Sequence, residues 1–311
     1  MKILVTGGTG FVGRTAVPTL QAAGHAVRLA LRQSSAAAAV ESVVVGELGP
    51  ATDWERALEG VDAVVHLAAR VHVMRDHAGS AEEFKRTNAD GTLRLARAAA
   101  DAGARRFVFV STIKVNGEST TTQPFRADDE PHPCDDYGRS KLAAELGLRE
   151  IPGIEPVIIR PPLVHGPGAK GNLARFCRLA RAGLPVPFGA IDNRRDLVGV
   201  ANLANLIERC VWHPAAEGEV FLAADGEPLS TPELFRTIAE TLGRPARMIH
   251  VPVALMRAVA RPLGFGAEFD RLTQSLEVDA AKTRQQLDWR PPVTARDGIT
   301  AMARAFAAAC A

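Results

Sequence analysis

What the 311-residue chain has least of is tyrosine: Tyr137 is the single one. Cysteine is scarce as well, with four residues, Cys134, Cys177, Cys210 and Cys310. They form no Cys-x-x-Cys pair and no metal-ligand spacing, so neither a disulfide framework nor a zinc site is expected, and the pattern suits a reducing compartment. An excess of one charge is missing too. The 37 Lys and Arg against 35 Asp and Glu leave +2, which gives no general case for nucleic acid or an anionic membrane as partner, so any anion binding must be local. No segment approaches the roughly 20 unbroken apolar residues of a membrane helix. The opening Lys2-Ile3-Leu4-Val5 reads as a strand with no basic leader and cleavage site, and a cytoplasmic protein without a membrane span is expected.

What is present is an alternation. Short apolar, β-branched runs at Ile3 to Thr6, Ala26 to Leu31, Val43 to Val45, Ala63 to Leu67, Phe107 to Ser111 and Val157 to Ile159 read as strands covered on both faces. Helical patterns near Phe11 to Ala23, Ala81 to Ala102 and Tyr137 to Arg149 separate them. That rhythm predicts an α/β fold with a doubly wound parallel sheet, its strand C-terminal ends gathered at one ligand-binding edge. After about Arg160 it gives way to proline-punctuated loops and separate helices, including Leu173 to Ala182, Asn202 to Val211, Pro232 to Leu242, Pro252 to Arg261 and Ala295 to Ala309. The expected organisation is a dinucleotide-binding domain over residues 1–160 and a smaller, mainly C-terminal substrate-binding lobe over 161–311, with some segments returning to the first. The alanine runs, such as Ala36 to Ala39, read as compositional bias.

The first strand runs into Thr6-Gly7-Gly8-Thr9-Gly10-Phe11-Val12-Gly13 and then a helix. Gly7 and Gly10 allow a tight turn with close backbone approach, and Gly13 lets helix and strand pack, so that the helix N-terminus faces a pyrophosphate with free amides. The second strand ends Leu31-Arg32-Gln33-Ser34 with no carboxylate to hold an adenosine ribose. Arg32 at its tip could instead pair with a 2′-phosphate, which points to NADP(H), with NAD(H) as the alternative. Glu47, past the third strand, is a candidate acceptor for the adenine amino group.

Tyr137 and Lys141 are four apart on a predicted helix and share a face. A phenol has a pKa of about 10, and a fixed cation within roughly 4 to 6 Å should draw it toward working pH. Together with the glycine turn, the strand Val64-Val65-His66-Leu67-Ala68-Ala69, the helix segment Asn88-Ala89-Asp90-Gly91-Thr92, the strand end Ser111-Thr112 and the loop Arg160-Pro161-Pro162-Leu163-Val164-His165-Gly166-Pro167-Gly168, the chain closely resembles the extended short-chain dehydrogenase/reductase, or NAD-dependent epimerase/dehydratase, family. The resemblance covers nearly the whole chain. It implies a Rossmann fold and nucleotide-sugar chemistry, with Tyr137 as acid/base, Lys141 as its partner and ligand of the nicotinamide ribose, and Thr112 binding the reacting oxygen. By the same likeness Ser111, Asn88, Leu48, Leu67, Ala68, Ala69 and Pro161 join the glycine turn in holding the cofactor.

For the substrate, the resemblance implies nucleotide contacts from Asn172 and Leu173, diphosphate contacts from Arg195 and Arg271, and a sugar pocket lined by Lys114 and Asn116. His165 and Leu197 stand where the family usually has tyrosine, and Arg290 matches a C-terminal packing motif. The stretch from Ser111 to Ser119 looks most like bacterial 4-keto-sugar reductases and 4-epimerases of O-antigen and polysaccharide biosynthesis, such as those making UDP-N-acetylquinovosamine. Reduction of a UDP-4-keto-6-deoxyhexosamine is the first expectation, a UDP-glucose or UDP-N-acetylglucosamine 4-epimerase the second and a dihydroflavonol- or sterol-type reductase the third. A silent cofactor-binding scaffold is disfavoured, because the tyrosine and the lysine are both present. A homodimer is common in the family.

Overall fold

The computed structural model of the chain describes residues 1–34, 40–71 and 80–310, so the alanine run 36–39 lies outside the described residues. Its strands are β1 (Lys2–Thr6), β2 (Ala26–Leu31), β3 (Glu41–Val44), β4 (Ala63–His66), β5 (Arg106–Val110), β6 (Glu155–Arg160), β7 (Leu163–His165), β8 (Leu197–Gly199) and β9 (Val220–Leu222). The first helices in chain order are α1 (Gly13–Ala22), α2 (Glu55–Leu58), α3 (Ser80–Phe84), α4 (Gly91–Asp101) and α5 (Asp136–Arg149). Beyond them come α6 (Asn172–Ala182), α7 (Val200–Trp212), α8 (Thr231–Thr241), α9 (Val253–Ala260), α10 (Gly266–Thr273), α11 (Ala281–Gln286) and α12 (Ala295–Ala309).

Seven strands form one sheet in the order β3-β2-β1-β4-β5-β6-β9, with every neighbouring pair parallel. This is the expected doubly wound sheet, and its order reverses between β1 and β4, which opens a crevice at that switch point. One face is covered by α1 and α7 through Ala16, Val17, Leu20, Leu203 and Leu206. The other carries α2, α4 and α5 through Leu58, Leu95, Ala99, Ala144 and Leu148. The burial of β4 on both sides explains its unbroken apolar run.

The last strand of the sheet, β9, is three residues long and was not expected from the sequence. Val220-Phe221-Leu222 is too short for a periodicity to register, and only its pairing with β6 makes it a strand. The helix expected over Ala81 to Ala102 is interrupted by a π-helical turn, Lys85–Asp90. Two contacts account for it. The Thr92 hydroxyl donates to the Asn88 carbonyl at 2.7 Å, and Gly91 backs so closely onto the Gly49 backbone that a Cβ would lie 3.1 Å from its nitrogen. Such turns insert a residue into the helical ladder and re-aim the side chains around it.

After β6 the chain builds a second body from the parallel pair β7-β8 and helices α6, α8 and α12. Its core centres on Phe176, Phe188 and Phe235, whose rings lie 5.4 to 6.0 Å apart. A buried ion pair fixes the exit from the sheet toward this body. Arg160, the last residue of β6, donates through Nε and Nη2 to Glu145 of α5 at 2.5 to 3.1 Å, and both are almost fully enclosed. Removing one member of such a pair leaves an uncompensated buried charge. Glu145→Leu should therefore cost about 3–5 kcal/mol in chemical denaturation, and adding Arg160→Met should recover most of that loss. A double variant as unstable as the single one would show that the two do not act as a pair.

Candidate active site

The glycine turn lies at the switch point, directly after β1. Gly7 has φ +70°, and a Cβ on it would sit 2.7 Å from the Ala68 nitrogen. A Cβ on Gly13 would sit 2.3 Å from the Gly7 carbonyl oxygen. Only glycine lets the turn close on itself and on the end of β4, leading through Gly10, Phe11 and Val12 into α1. The amides of Arg14, Thr15 and Ala16 donate to the Gly10 and Val12 carbonyls, which leaves the amides of Phe11, Val12 and Gly13 at the mouth of the turn. This backbone cradle fits a dinucleotide pyrophosphate. Leu67, Ala68 and Ala69, half-buried after β4, form its far wall. Arg32 and Glu47 are exposed past the ends of β2 and β3, which the Val45 amide ties together by donating to the Leu31 carbonyl. Leu48 beside them packs on the sheet.

The candidate catalytic pair, Tyr137 and Lys141, comes from α5. Asp135 caps that helix, accepting from the Gly138 amide at 2.7 Å, so the first turn is fixed where it delivers Tyr137. The half-buried phenol meets the Phe84 ring edge-on at 6.1 Å. One turn on, Lys141 is 1% exposed and its ammonium lies 4.1 Å from the Phe109 ring centroid. Burial pushes the Lys141 pKa down to about 7, against the opposing pull of the Glu145 carboxylate. Burial, and then the Asp135 carboxylate, raise the Tyr137 pKa. The expectation that Lys141 would draw the phenol down is thus reversed. Loss of solvent and then a negative neighbour set the direction, and Tyr137 rests as the protonated phenol.

A buried chain of hydrogen bonds joins the cradle to this helix. Ala68 donates to the Thr6 hydroxyl at 3.3 Å, and Thr6 lies 2.6 Å from His66 Nδ1. Across the ring, His66 Nε2 lies 2.9 Å from Thr92 Oγ1. Because that hydroxyl donates to the Asn88 carbonyl, it must accept from Nε2–H, so Nδ1 accepts from Thr6. Burial, and then the Lys141 charge, lower the His66 pKa to about 3 and keep the ring neutral. Asn88 continues the chain: its amide nitrogen donates to Ser140 at 3.0 Å, and Ser140 donates to the Tyr137 carbonyl at 2.8 Å. The same amide brackets Arg70 with two hydrogen bonds of 2.8 and 3.1 Å. Asn88 therefore clamps the loop after β4 and helix α5 together.

Of the strand-end hydroxyls, Thr112 follows Ser111 at the sheet edge and accepts from the Lys114 amide at 3.3 Å. Ser111 turns inward and donates to the Glu145 carboxylate, so its hydroxyl is spent within the fold. Pro161 is buried and receives the Ile113 amide at 2.9 Å. Asn116, placed by resemblance in a sugar pocket, is buried with its oxygen held by Arg160 at 3.0 Å and its nitrogen donating to the Arg126 carbonyl at 2.8 Å. Its amide is occupied by the protein at both ends, because it completes the shell of the Arg160 guanidinium. Lys114 is held by Asp135 at 2.5 Å and Glu118 at 2.8 Å. Burial alone would lower its pKa, but those two carboxylates raise it.

In the second body, Asn172 opens α6, while Leu173 is 2% exposed in the lobe core. Arg195 donates to the Gln274 carbonyl at 2.8 Å. Its pKa is lowered first by burial and also by the charge of Arg271, with Glu118 opposing. Those three charged groups therefore share one neighbourhood. His165, standing in the family's tyrosine position, is fully buried and lies 2.7 Å from Asp225, a carboxylate that also holds the Gly199 amide and Asn202. There it supports β7 and β8.

Asp135, Phe84, Ser140 and the Glu145–Arg160 pair escaped the sequence reading. Asp135 carried a usable signal, an Asp three residues before an amide at a helix start. Phe84 and Glu145 carried none, since their partners are remote in sequence. Among the described residues no cluster of His, Cys, Asp and Glu could hold a metal, and no helix is long and apolar enough to cross a membrane.

Residues 3–224 match the NAD dependent epimerase/dehydratase family. A Vibrio cholerae protein described as UDP-glucose 4-epimerase is 41% identical over 312 residues, covering 98% of this chain and 95% of that one. Among solved structures, MoeE5 in complex with UDP-glucose and NAD has a TM-score of 0.81 at 23% identity, covering both chains completely. A short-chain dehydrogenase/reductase superfamily protein from Agrobacterium tumefaciens with bound NAD has a TM-score of 0.75 at 25% identity, covering 100% of this chain and 98% of that one. For the cradle, Gly13→Val should abolish dinucleotide binding in a fluorescence titration while circular dichroism stays native. Retained affinity would show that the cradle is not the pyrophosphate site.

Proposed function

The chain belongs to the NAD-dependent epimerase/dehydratase family, and from that premise we propose that it is an oxidoreductase acting at C4 of a UDP-linked hexose, first as a UDP-hexose 4-epimerase. The observation that carries this reading is the pairing of Tyr137 and Lys141 on one face of α5, clamped through Asn88 and His66 to the glycine cradle. The 41% identity with a protein described as UDP-glucose 4-epimerase supports the sugar class. Arg195 and Arg271 supply two cations for a diphosphate.

A bound nicotinamide dinucleotide would supply the hydride acceptor and donor. The chain's own residues handle the proton. Tyr137 Oη, protonated at rest by burial and Asp135, first loses its proton to solvent. The phenolate then takes the O4 hydroxyl proton as the C4 hydride leaves and returns it to the oxyanion at O4 when the hydride comes back. Thr112 fixes that oxygen, and Lys141, with a pKa near 7, stabilises the phenolate when it forms. The apolar cover from Phe84 and Phe109 limits water at this point.

A second reading rests on Arg32. It stands exposed at the end of β2, where no carboxylate follows, and this supports use of NADPH and net reduction of a UDP-4-keto-6-deoxyhexosamine. An epimerase needs to retain its cofactor, whereas a reductase must exchange it.

Incubation with UDP-glucose or UDP-N-acetylglucosamine and NAD should interconvert the C4 epimers with no net change in NADH absorbance. Stoichiometric oxidation of NADPH by a UDP-4-keto-6-deoxyhexosamine, with no epimerisation, would replace the first reading by the second. On that second reading the dissociation constant for NADPH should be the smaller, and Arg32→Ala should erase the difference; equal or tighter NADH binding would remove the role of Arg32. Tyr137→Phe should keep dinucleotide affinity and lose a factor of about 10² to 10⁴ in turnover. Near wild-type turnover in that variant would refute the assignment.

A further inference from the structure

Helix α9 is inside out for a surface helix. Its partly covered side, Val253 and Met256, packs on the core of the second body. Arg257 folds back toward Phe269 and lies 3.7 Å from Asp270. The solvent side consists of Ala254, Leu255, Ala258 and Val259, with no polar side chain among them. A surface helix ordinarily shows the reverse pattern. The turn that follows extends the same character through Pro262, Leu263 and Phe265. Leu255, Val259, Leu263 and Phe265 are 57%, 55%, 64% and 59% exposed, a concentration of bare aliphatic and aromatic surface that marks an interaction site.

The surroundings of this patch are basic. Arg244 and Arg247 lie exposed in the segment leading to α9, and Arg261 lies exposed at its end. None of the three is in an ion pair among the described residues. From 243 to 267 the chain has four arginines and no carboxylate. In an isologous contact the arginine-bearing stretches of two copies would face each other, and the next carboxylates, Glu268 and Asp270 of α10, lie outside the stretch, with Asp270 already beside Arg257. A negatively charged plane meets both demands at once, taking the apolar side chains below its headgroups and the guanidinium groups at its surface.

We propose that the α9 helix and the turn into α10 form a docking surface for an anionic lipid bilayer, on which the chain lies without spanning it. Its apolar side chains enter the interface, and Arg244, Arg247 and Arg261 contact lipid phosphates. Helix α10 begins at the end of the docking turn and carries Arg271, so docking holds the second body, with its Arg195–Arg271 neighbourhood, next to the membrane. The proposal stands independently of the substrate assigned above.

Co-sedimentation of the full chain with vesicles tests it. Wild-type protein should pellet with phosphatidylglycerol/phosphatidylcholine vesicles, remain in the supernatant with phosphatidylcholine alone, and be released by high salt. The variant L255S/V259S/L263S/F265S should lose binding. R244A/R247A/R261A should lower the partition coefficient by roughly a hundredfold, from the contribution of each basic residue near an anionic surface. Both variants should keep the wild-type thermal transition and dinucleotide affinity, since none of these residues lines the cradle or the catalytic helix. A wild-type chain that ignores anionic vesicles overturns the proposal, and so does binding that neither variant weakens. Light scattering supplies a third refutation: a wild-type dimer that L255S/V259S/L263S/F265S dissolves, without vesicle binding, assigns the patch to a second copy.

Discussion

Burying one ammonium group is the constraint on which the rest of the site depends. Moving an ion of that size out of water costs several kcal/mol even after relaxation, which is a large part of the roughly 5–15 kcal/mol that holds a domain folded. Lys141 can be 1% exposed because its surroundings are arranged for it. The Phe109 ring presents its electron-rich face. The Glu145 carboxylate lies one helical turn away. His66, the other titratable group close by, is kept neutral. Each of these requires its own support: Glu145 needs Arg160 and Ser111, Arg160 needs Asn116, and His66 needs Thr6 and Thr92. The polar groups around Lys141 therefore support one another, and Tyr137 stands at their partly exposed side.

That connectivity explains what could be read in the sequence. The glycine turn, the parallel sheet and the Tyr137–Lys141 face follow from local periodicity and from steric rules that act over a few residues, and so they were legible. The direction of the Tyr137 shift was not. It depends on how deeply the phenol is buried and on Asp135, two quantities that spacing along a helix does not carry. The partners of Asn116 were hidden for a related reason. The resemblance implied a place in a sugar pocket, and local sequence carried no sign that Arg160, 44 residues away, holds its amide oxygen. The π-helical turn at Lys85–Asp90 and the three-residue β9 are likewise products of tertiary contact and have no periodic signature of their own.

Charge offers a second case in which a total conceals an arrangement. A formal +2 describes a nearly neutral molecule, yet the second body separates its arginines into two groups. Arg195 is partly buried, and the charge of the exposed Arg271 adds to that burial in lowering its pKa. Arg244, Arg247 and Arg261 stand in solvent beside apolar surface. Identical side chains thus do different electrostatic work according to burial alone, because the effective dielectric falls steeply from surface to interior.

The Glu145–Arg160 pair has a further consequence for how this protein can change over evolutionary time. Glu145 offsets the charge of Lys141, and Arg160 is the residue at which the chain leaves the sheet for the second body. One ion pair therefore touches both the surroundings of Lys141 and the place where the chain leaves β6 for the second body. A substitution there would be pleiotropic, altering the ionisation of Lys141 and the anchoring of β6 in a single step. By the same reasoning this pair could change without loss only if both partners changed together.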